Sequence, residues 1–120
     1  MQNSIIKQKS YNFALRIISL HQLLRREKQF EISAQLIKSA TSIGANVEEA
    51  LAGQSRKDFI AKMSLASKEA RETNYWLRLI KDSALVSSNK MDTLIADSEE
   101  LIKILTSIVK TSSAKVKSAP

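Results

Sequence analysis

The sequence contains no cysteine, one proline and two glycines in 120 residues. Without cysteine the chain has no disulfides, no thiolate metal sites and no cysteine nucleophile, a pattern typical of a reducing compartment. Folds rich in β-sheet need turn residues at short intervals, so the scarcity of glycine and proline argues against them. The proline is residue 120, so nothing before it forces a helix to end. These absences predict a protein made of long helices.

Membrane and metal-binding signals are also missing. The chain has no apolar run of membrane-spanning length and no signal-peptide pattern at its N-terminus, so we expect a cytoplasmic protein that does not contact a membrane. Di-metal sites in helical bundles use paired Glu-x-x-His elements, and His21 is the single histidine. We therefore predict no metal, no cofactor and no catalytic residue. His21 as a lone general base is the alternative to His21 as a boundary residue.

Apolar residues recur at spacings of three and four in four segments, the period of packed helices. The third segment begins at Ser55 with Asp58 three positions later, which resembles a capping box. The intervening links, near residues 29–32, 52–54 and 83–88, are short and favour antiparallel neighbours. We predict an all-α, up-down-up-down four-helix bundle over residues 1–110 and a basic flexible tail over 111–120. The predicted core positions are Phe13, Ile17, Leu20, Leu24, Leu36, Ala40, Ile43, Val47, Ala50, Phe59, Met63, Ala66, Ala70, Thr73, Leu77, Ile80, Met91, Leu94, Ser98, Leu101, Leu105 and Ile108.

Gly44 lies in the middle of the second predicted helix, within the stretch "SATSIGANVEEA". A phosphate-binding loop would need further glycines and a following lysine, whereas acidic Glu48 and Glu49 follow here. Glycine in a helix interior costs about 1 kcal/mol relative to alanine. We therefore predict that Gly44 is a helix-packing residue at a close approach of two helices.

Two further features bear on self-association. The apolar rows Ile95, Ile102, Val109 and Ile37, Gly44, Leu51 extend beyond one narrow core stripe. They indicate either a wide core face or an interface between subunits, and we expect a homo-oligomer. The adjacent Tyr75 and Trp76 could pack within or between subunits, which we favour, or stack on nucleic-acid bases.

Charge is strongly positive and unevenly distributed. The net charge is +7, the isoelectric point is about 9.8, and no acidic residue precedes Glu27 or follows Glu100. In the predicted topology the start of the first helix, the second link and the end of the fourth helix meet at one end of the bundle, here called the first pole. We predict that RNA or DNA binds there. The predicted nucleic-acid-binding residues are Lys7, Lys9, Arg56, Lys57, Lys62, Lys110, Lys115 and Lys117.

At the first pole these cations stand against Glu48, Glu49 and Asp58. The opposite end, the second pole, mixes the two signs of charge more evenly, so we expect a weaker field at that end. Its charged residues are Arg25, Arg26, Lys28, Arg78, Lys81, Lys90, Glu27, Glu31, Asp82 and Asp92. Positive charge also keeps a bundle soluble, so a protein–protein interaction scaffold with no nucleic-acid role is the alternative function.

The segments "SATSIGANVEEA" and "KDFIAKMSLASKEARETNYWLRLIKDSAL" resemble the four-helix-bundle family encoded by intervening sequences in bacterial 23S ribosomal RNA genes, also called S23 ribosomal protein-like. That family is similar to the accessory proteins of diversity-generating reverse transcriptases, which are basic, homopentameric bundles. The resemblance implies a bacterial, cytoplasmic, non-enzymatic bundle, a pentamer, RNA or DNA as ligand, and a reverse transcriptase as possible partner.

Overall fold

The structure, a computed structural model, describes residues 2–118, with side chains through Val116. It contains four helices, α1 (Gln2–Arg26), α2 (Phe30–Ala52), α3 (Arg56–Asp82) and α4 (Ser88–Ser118), and no strand among the described residues. Each helix contacts two neighbours, in the cyclic order α1, α2, α3, α4. The helices form a rod of 55 × 21 × 20 Å. The predicted four-helix bundle is confirmed.

The core follows the predicted stripes closely. Every predicted core position is buried except Phe59, which is half-buried against the others. Ile6 and four serines are also buried, which the apolar pattern did not indicate. Buried hydroxyls are paired: Ser39 donates to the carbonyl of Leu36 at 3.2 Å, and Thr73 donates to Ser39 at 2.8 Å. The buried serines are Ser10, Ser33, Ser39 and Ser112, in addition to the predicted Ser98.

Helix ends are set by local hydrogen bonds. The N–H of Asp58 donates to the hydroxyl of Ser55 at 3.0 Å, so Ser55 caps α3 as the spacing predicted. Lys28 and Ala84 both have left-handed backbones, with φ of 62° and 59°. In each case the N–H of the next residue donates to a backbone carbonyl in the last turn of the helix, as in a Schellman motif. The Gln29 N–H donates to the Leu24 carbonyl at 2.8 Å, and the Leu85 N–H donates to the Ile80 carbonyl at 3.3 Å.

Helix α4 continues past residue 110, where the sequence predicted the start of a flexible tail, to Ser118. No glycine or proline interrupts residues 111–118, and Ser112 is buried beside the link between α2 and α3. The burial of Ser112 shows that this turn of α4 still packs against the bundle. Residues 119 and 120 lie outside the described part.

Gly44 faces the backbone of α1. A Cβ placed on it would lie 3.5 Å from the hydroxyl oxygen of Ser10 and 3.6 Å from the Ser10 carbonyl oxygen. These are ordinary van der Waals distances, so a methyl group fits at residue 44, but a larger side chain would have to displace α1.

The outer apolar rows pack against the chain's own core. Ile95, Ile102, Val109, Ile37 and Leu51 are all half-buried and pack against it. A wide core face therefore accounts for them, and they do not argue for self-association.

The aromatic pair divides between the boundary and the surface. Trp76 is half-buried and its indole N–H donates to Glu72 at 3.2 Å, whereas Tyr75 is exposed and meets Trp76 edge to face at 5.2 Å.

Candidate nucleic-acid interface

The first pole is an open cleft where three chain segments meet. Its lining includes Gln2 at the start of α1, Gln54 in the second link, Arg56 at the start of α3 and Lys115 near the end of α4. The cleft has a volume of about 440 Å³. The bundle topology therefore brings together the elements that the sequence analysis placed at this pole.

Four of the predicted nucleic-acid-binding cations are exposed and form no ion pair with any residue in the range 2–118. They are Lys7, Arg56, Lys57 and Lys110. Arg56 and Lys57 occupy the first turn of α3, where the helix dipole adds partial positive charge. Each can approach a phosphate without first breaking an internal contact.

Other predicted cations are partly neutralised. The ammonium of Lys9 lies 3.2 Å from a carboxylate oxygen of Glu100, and that of Lys62 lies 3.1 Å from Glu49. All four side chains are substantially solvated, so the pairs contribute little to stability. They do offset the local field that an anion would experience.

The predicted cations also differ in position. Lys115 lines the first-pole cleft, and Lys7 lies in a shallow groove between α1 and α2 beside Tyr11 and Glu48. The side chain of Lys117 falls outside the described part of the chain.

Three of the six cations at the second pole contact other side chains. Lys81 lies 2.7 Å from Asp92, and the hydrogen bond to that carboxylate raises the pKa of Lys81. The guanidinium of Arg25 lies 5.2 Å from the ring centre of Phe30, and that of Arg78 lies 5.7 Å from Tyr75. These contacts hold the cations against the protein surface.

His21 has a structural contact. Its Nδ1 lies 3.0 Å from the carbonyl oxygen of Ser33, and a carbonyl accepts only, so Nδ1 carries the proton and donates it. The half-buried ring thereby joins α1 to α2.

Glu69 has a shifted pKa, and no cluster suited to a metal ion is found among the described residues. Burial, and then the neighbouring Glu72, raise the pKa of Glu69. Across residues 2–118 no three histidine or carboxylate side chains are grouped as a metal site would need. In that same range no helix has the length and hydropathy needed to cross a bilayer.

Two surface features escaped the sequence analysis. Tyr11, Leu15 and Ile18 follow one another at spacings of four and three on α1, and they are 59%, 50% and 38% exposed. The helical spacing of these three residues could have predicted this second apolar stripe from the sequence. A groove between α1 and α4 near the second pole had no such signal, because its two walls are distant in sequence.

The fold and this surface define a basic four-helix bundle. A family model described as "23S rRNA-intervening sequence protein" matches residues 2–107, and the chain belongs to that family. A crystal structure of a protein of unknown function from the S23 ribosomal protein family of Bacteroides thetaiotaomicron VPI-5482 is 43% identical, with a TM-score of 0.87. The match covers 92% of this chain and 99% of that one. No curated protein matches.

Proposed function

We propose that this protein is a non-enzymatic, oligomeric, cytoplasmic bundle that binds RNA or DNA through its first pole. The observation that carries the proposal is the group of exposed cations at that pole, Lys7, Arg56, Lys57 and Lys110, which lack ion-pair partners within residues 2–118. Phosphate contacts need positive charge but no specific motif. By the same criterion Arg25, Arg26, Lys28, Arg78 and Lys90 are also unpaired at the opposite pole within this range. That pole differs instead in its charge balance, with six cations and four carboxylates against eight cations and three carboxylates at the first pole.

Binding should be measured against salt with a labelled single-stranded RNA and a labelled DNA duplex. The test variant is Arg56→Glu/Lys57→Glu/Lys110→Glu. We expect affinity to fall by about tenfold or more and the slope of log affinity against log salt to flatten by about 2 to 3, because three phosphate contacts are lost. Acidic residues suit the first turn of a helix, so the fold should tolerate the changes in α3.

The matched control reverses three exposed, unpaired cations at the second pole, Arg26→Glu/Lys28→Glu/Lys90→Glu. The net charge changes equally, so this variant should keep most of the affinity and the salt slope. An equal or larger loss in the control would show that the wrong pole was chosen. No binding of either nucleic acid by the native protein at low salt would reject the proposal.

Oligomerisation is supported by the exposed stripe Tyr11, Leu15 and Ile18 on α1. Contiguous apolar surface of this kind is characteristic of interfaces. Repetition of the first pole around a symmetry axis would turn weak phosphate contacts into avidity for a long polyanion. Five subunits, and a reverse transcriptase as partner, are proposed from the resemblance to reverse-transcriptase accessory proteins.

Light scattering tests the assembly. The native protein should have a mass that is a multiple of 13.4 kDa, and Leu15→Glu/Ile18→Glu should reduce it to a single subunit. The control Asn12→Glu/Gln22→Glu places the same charges at exposed polar positions of α1 and should leave the mass unchanged. A native mass of 13.4 kDa at micromolar concentration would contradict the proposal.

A further inference from the structure

A groove of about 620 Å³ runs between α1 and α4 near the second pole. Its apolar floor is formed by Leu20, Leu23 and Leu94, of which Leu23 is half-buried. The short polar residues Ser19, Asn89 and Thr93 line its walls, and the cations Arg16, Arg26 and Lys90 complete the lining.

The groove lies where α1 and α4 make little contact. These helices share the sparsest interface in the bundle. Two ion pairs bridge it, Lys9 with Glu100 and Arg16 with Asp97. The groove occupies the seam beyond Arg16, toward the C-terminus of α1 and the N-terminus of α4.

Charge at the groove is of one sign. No carboxylate belongs to its lining, although Asp97 neutralises Arg16 from outside it. Arg26 and Lys90 are exposed and have no ion-pair partner in the described residues 2–118. An apolar floor with two uncompensated cations on its walls is complementary to a ligand that combines aliphatic groups with negative charge.

The length of the groove indicates which kind of ligand fits it. Arg16 and Arg26 mark its extent on α1, and ten residues of helix rise about 15 Å, or roughly three turns. A helix of that length presents anchors at positions i, i+3 or i+4, and i+7 to a groove. The lining contains no aromatic side chain on which a nucleic-acid base could stack.

We propose that this groove binds an acidic amphipathic helix of a partner protein, with aliphatic anchors on the leucine floor and carboxylates beside Arg26 and Lys90. The site is separate from the first pole and does not depend on nucleic-acid binding there. It would give the bundle a second surface, specific for protein.

The probe is a fluorescein-labelled synthetic peptide of about 14 residues, roughly four helical turns, with leucine at i, i+3 and i+7 and glutamate at the flanking positions. A second peptide replaces each glutamate by lysine, and a third replaces each leucine by serine. Fluorescence anisotropy should show binding of the acidic amphipathic peptide and weaker binding, by about tenfold or more, of both others.

Protein variants locate the site. Arg26→Glu/Lys90→Glu should weaken binding of the acidic peptide by about tenfold or more, since attraction at two positions becomes repulsion. Ser19→Trp should also weaken it, because the indole fills the groove without changing charge. The matched control Arg56→Glu/Lys57→Glu carries the same charge reversal at the first pole and should leave peptide affinity unchanged. Circular dichroism checks that all variants are folded.

Several results would overturn the inference. They are equal binding of the acidic and basic peptides, unchanged affinity in both groove variants, equal weakening in the Arg56/Lys57 control, or no binding of the acidic peptide at any soluble concentration. Displacement of the peptide by the single-stranded RNA from the native protein, but not from the Arg56/Lys57 control, would mean that the RNA acts from the first pole. That result would support the groove as a site for protein. Displacement from both would assign the groove to nucleic acid and reject it as a protein site.

Discussion

Helix α1 meets its two neighbours in different ways. Against α2 it packs closely, with Ser10 opposite Gly44 and the ring of His21 donating to the Ser33 carbonyl. Against α4 it is bridged by the ion pairs Lys9–Glu100 and Arg16–Asp97, and the seam opens into a groove. Close packing stabilises a fold more than solvated ion pairs do. The comparison indicates that the α1–α2 seam stabilises the bundle, while the α1–α4 seam is available for recognition.

The largest effect is expected from Gly44→Leu. A methyl group fits at residue 44, but the larger isobutyl group would overlap Ser10 and push α1 away. We expect a loss of about 1 to 3 kcal/mol in the free energy of unfolding, measured by urea denaturation. Ala45→Leu, at the exposed neighbouring position, is the control and should change stability little. Similar stability of Gly44→Leu and Ala45→Leu would contradict the conclusion that close packing between α1 and α2 stabilises the bundle.

Gly44→Ala sharpens the same comparison in the opposite direction. The added Cβ meets Ser10 at ordinary contact distance, so the helix propensity of alanine is gained without a clash. Thermal unfolding should show a stabilisation of up to about 1 kcal/mol. Destabilisation would mean that α1 and α2 lie closer together at residue 44 than the distances to Ser10 indicate.

The link from α1 to α2 allows a further gain. Lys28 has a left-handed backbone, φ 62°, which glycine adopts without a steric penalty. Lys28→Gly should stabilise the protein by about 0.5 to 1 kcal/mol in urea denaturation. Lys57→Gly is the contrasting change, since residue 57 is inside helix α3 and should lose stability. A loss of stability in Lys28→Gly would show that the lysine side chain stabilises the fold by more than its left-handed backbone costs.

A comparably small effect is expected at the α1–α4 seam. Asp97→Asn/Glu100→Gln removes both ion pairs, which are solvated, and should cost only about 0.5 to 1 kcal/mol in total at low salt. The difference from the native protein should shrink in 1 M salt, where the screening length is about 3 Å. Glu99→Gln, at an exposed position with no ion pair among residues 2–118, is the control. A loss of stability larger than that of Gly44→Leu would show that the α1–α4 seam, and not the α1–α2 seam, contributes more to the stability of the bundle.

Prediction from sequence worked where the determining interactions are local. The capping of α3 by Ser55 depends on a residue three positions away, and the core stripes depend on helical period. It fell short at Phe59, which is half-buried beside the open first-pole cleft. The poles were also predicted correctly as meeting points of chain segments, because short links force antiparallel neighbours.

The amino-acid sequence by itself determined four amphipathic helices, their order, most of the core and the excess of positive charge, because these follow from periodicity and composition. Only the tertiary structure decided which cations are paired and which are free to bind an anion. Lys9 is offset by Glu100 and Lys62 by Glu49, whereas Arg26 and Lys90 face a shared groove. Charge pairing and grooves depend on distances between side chains of different helices, which no local pattern in the chain encodes.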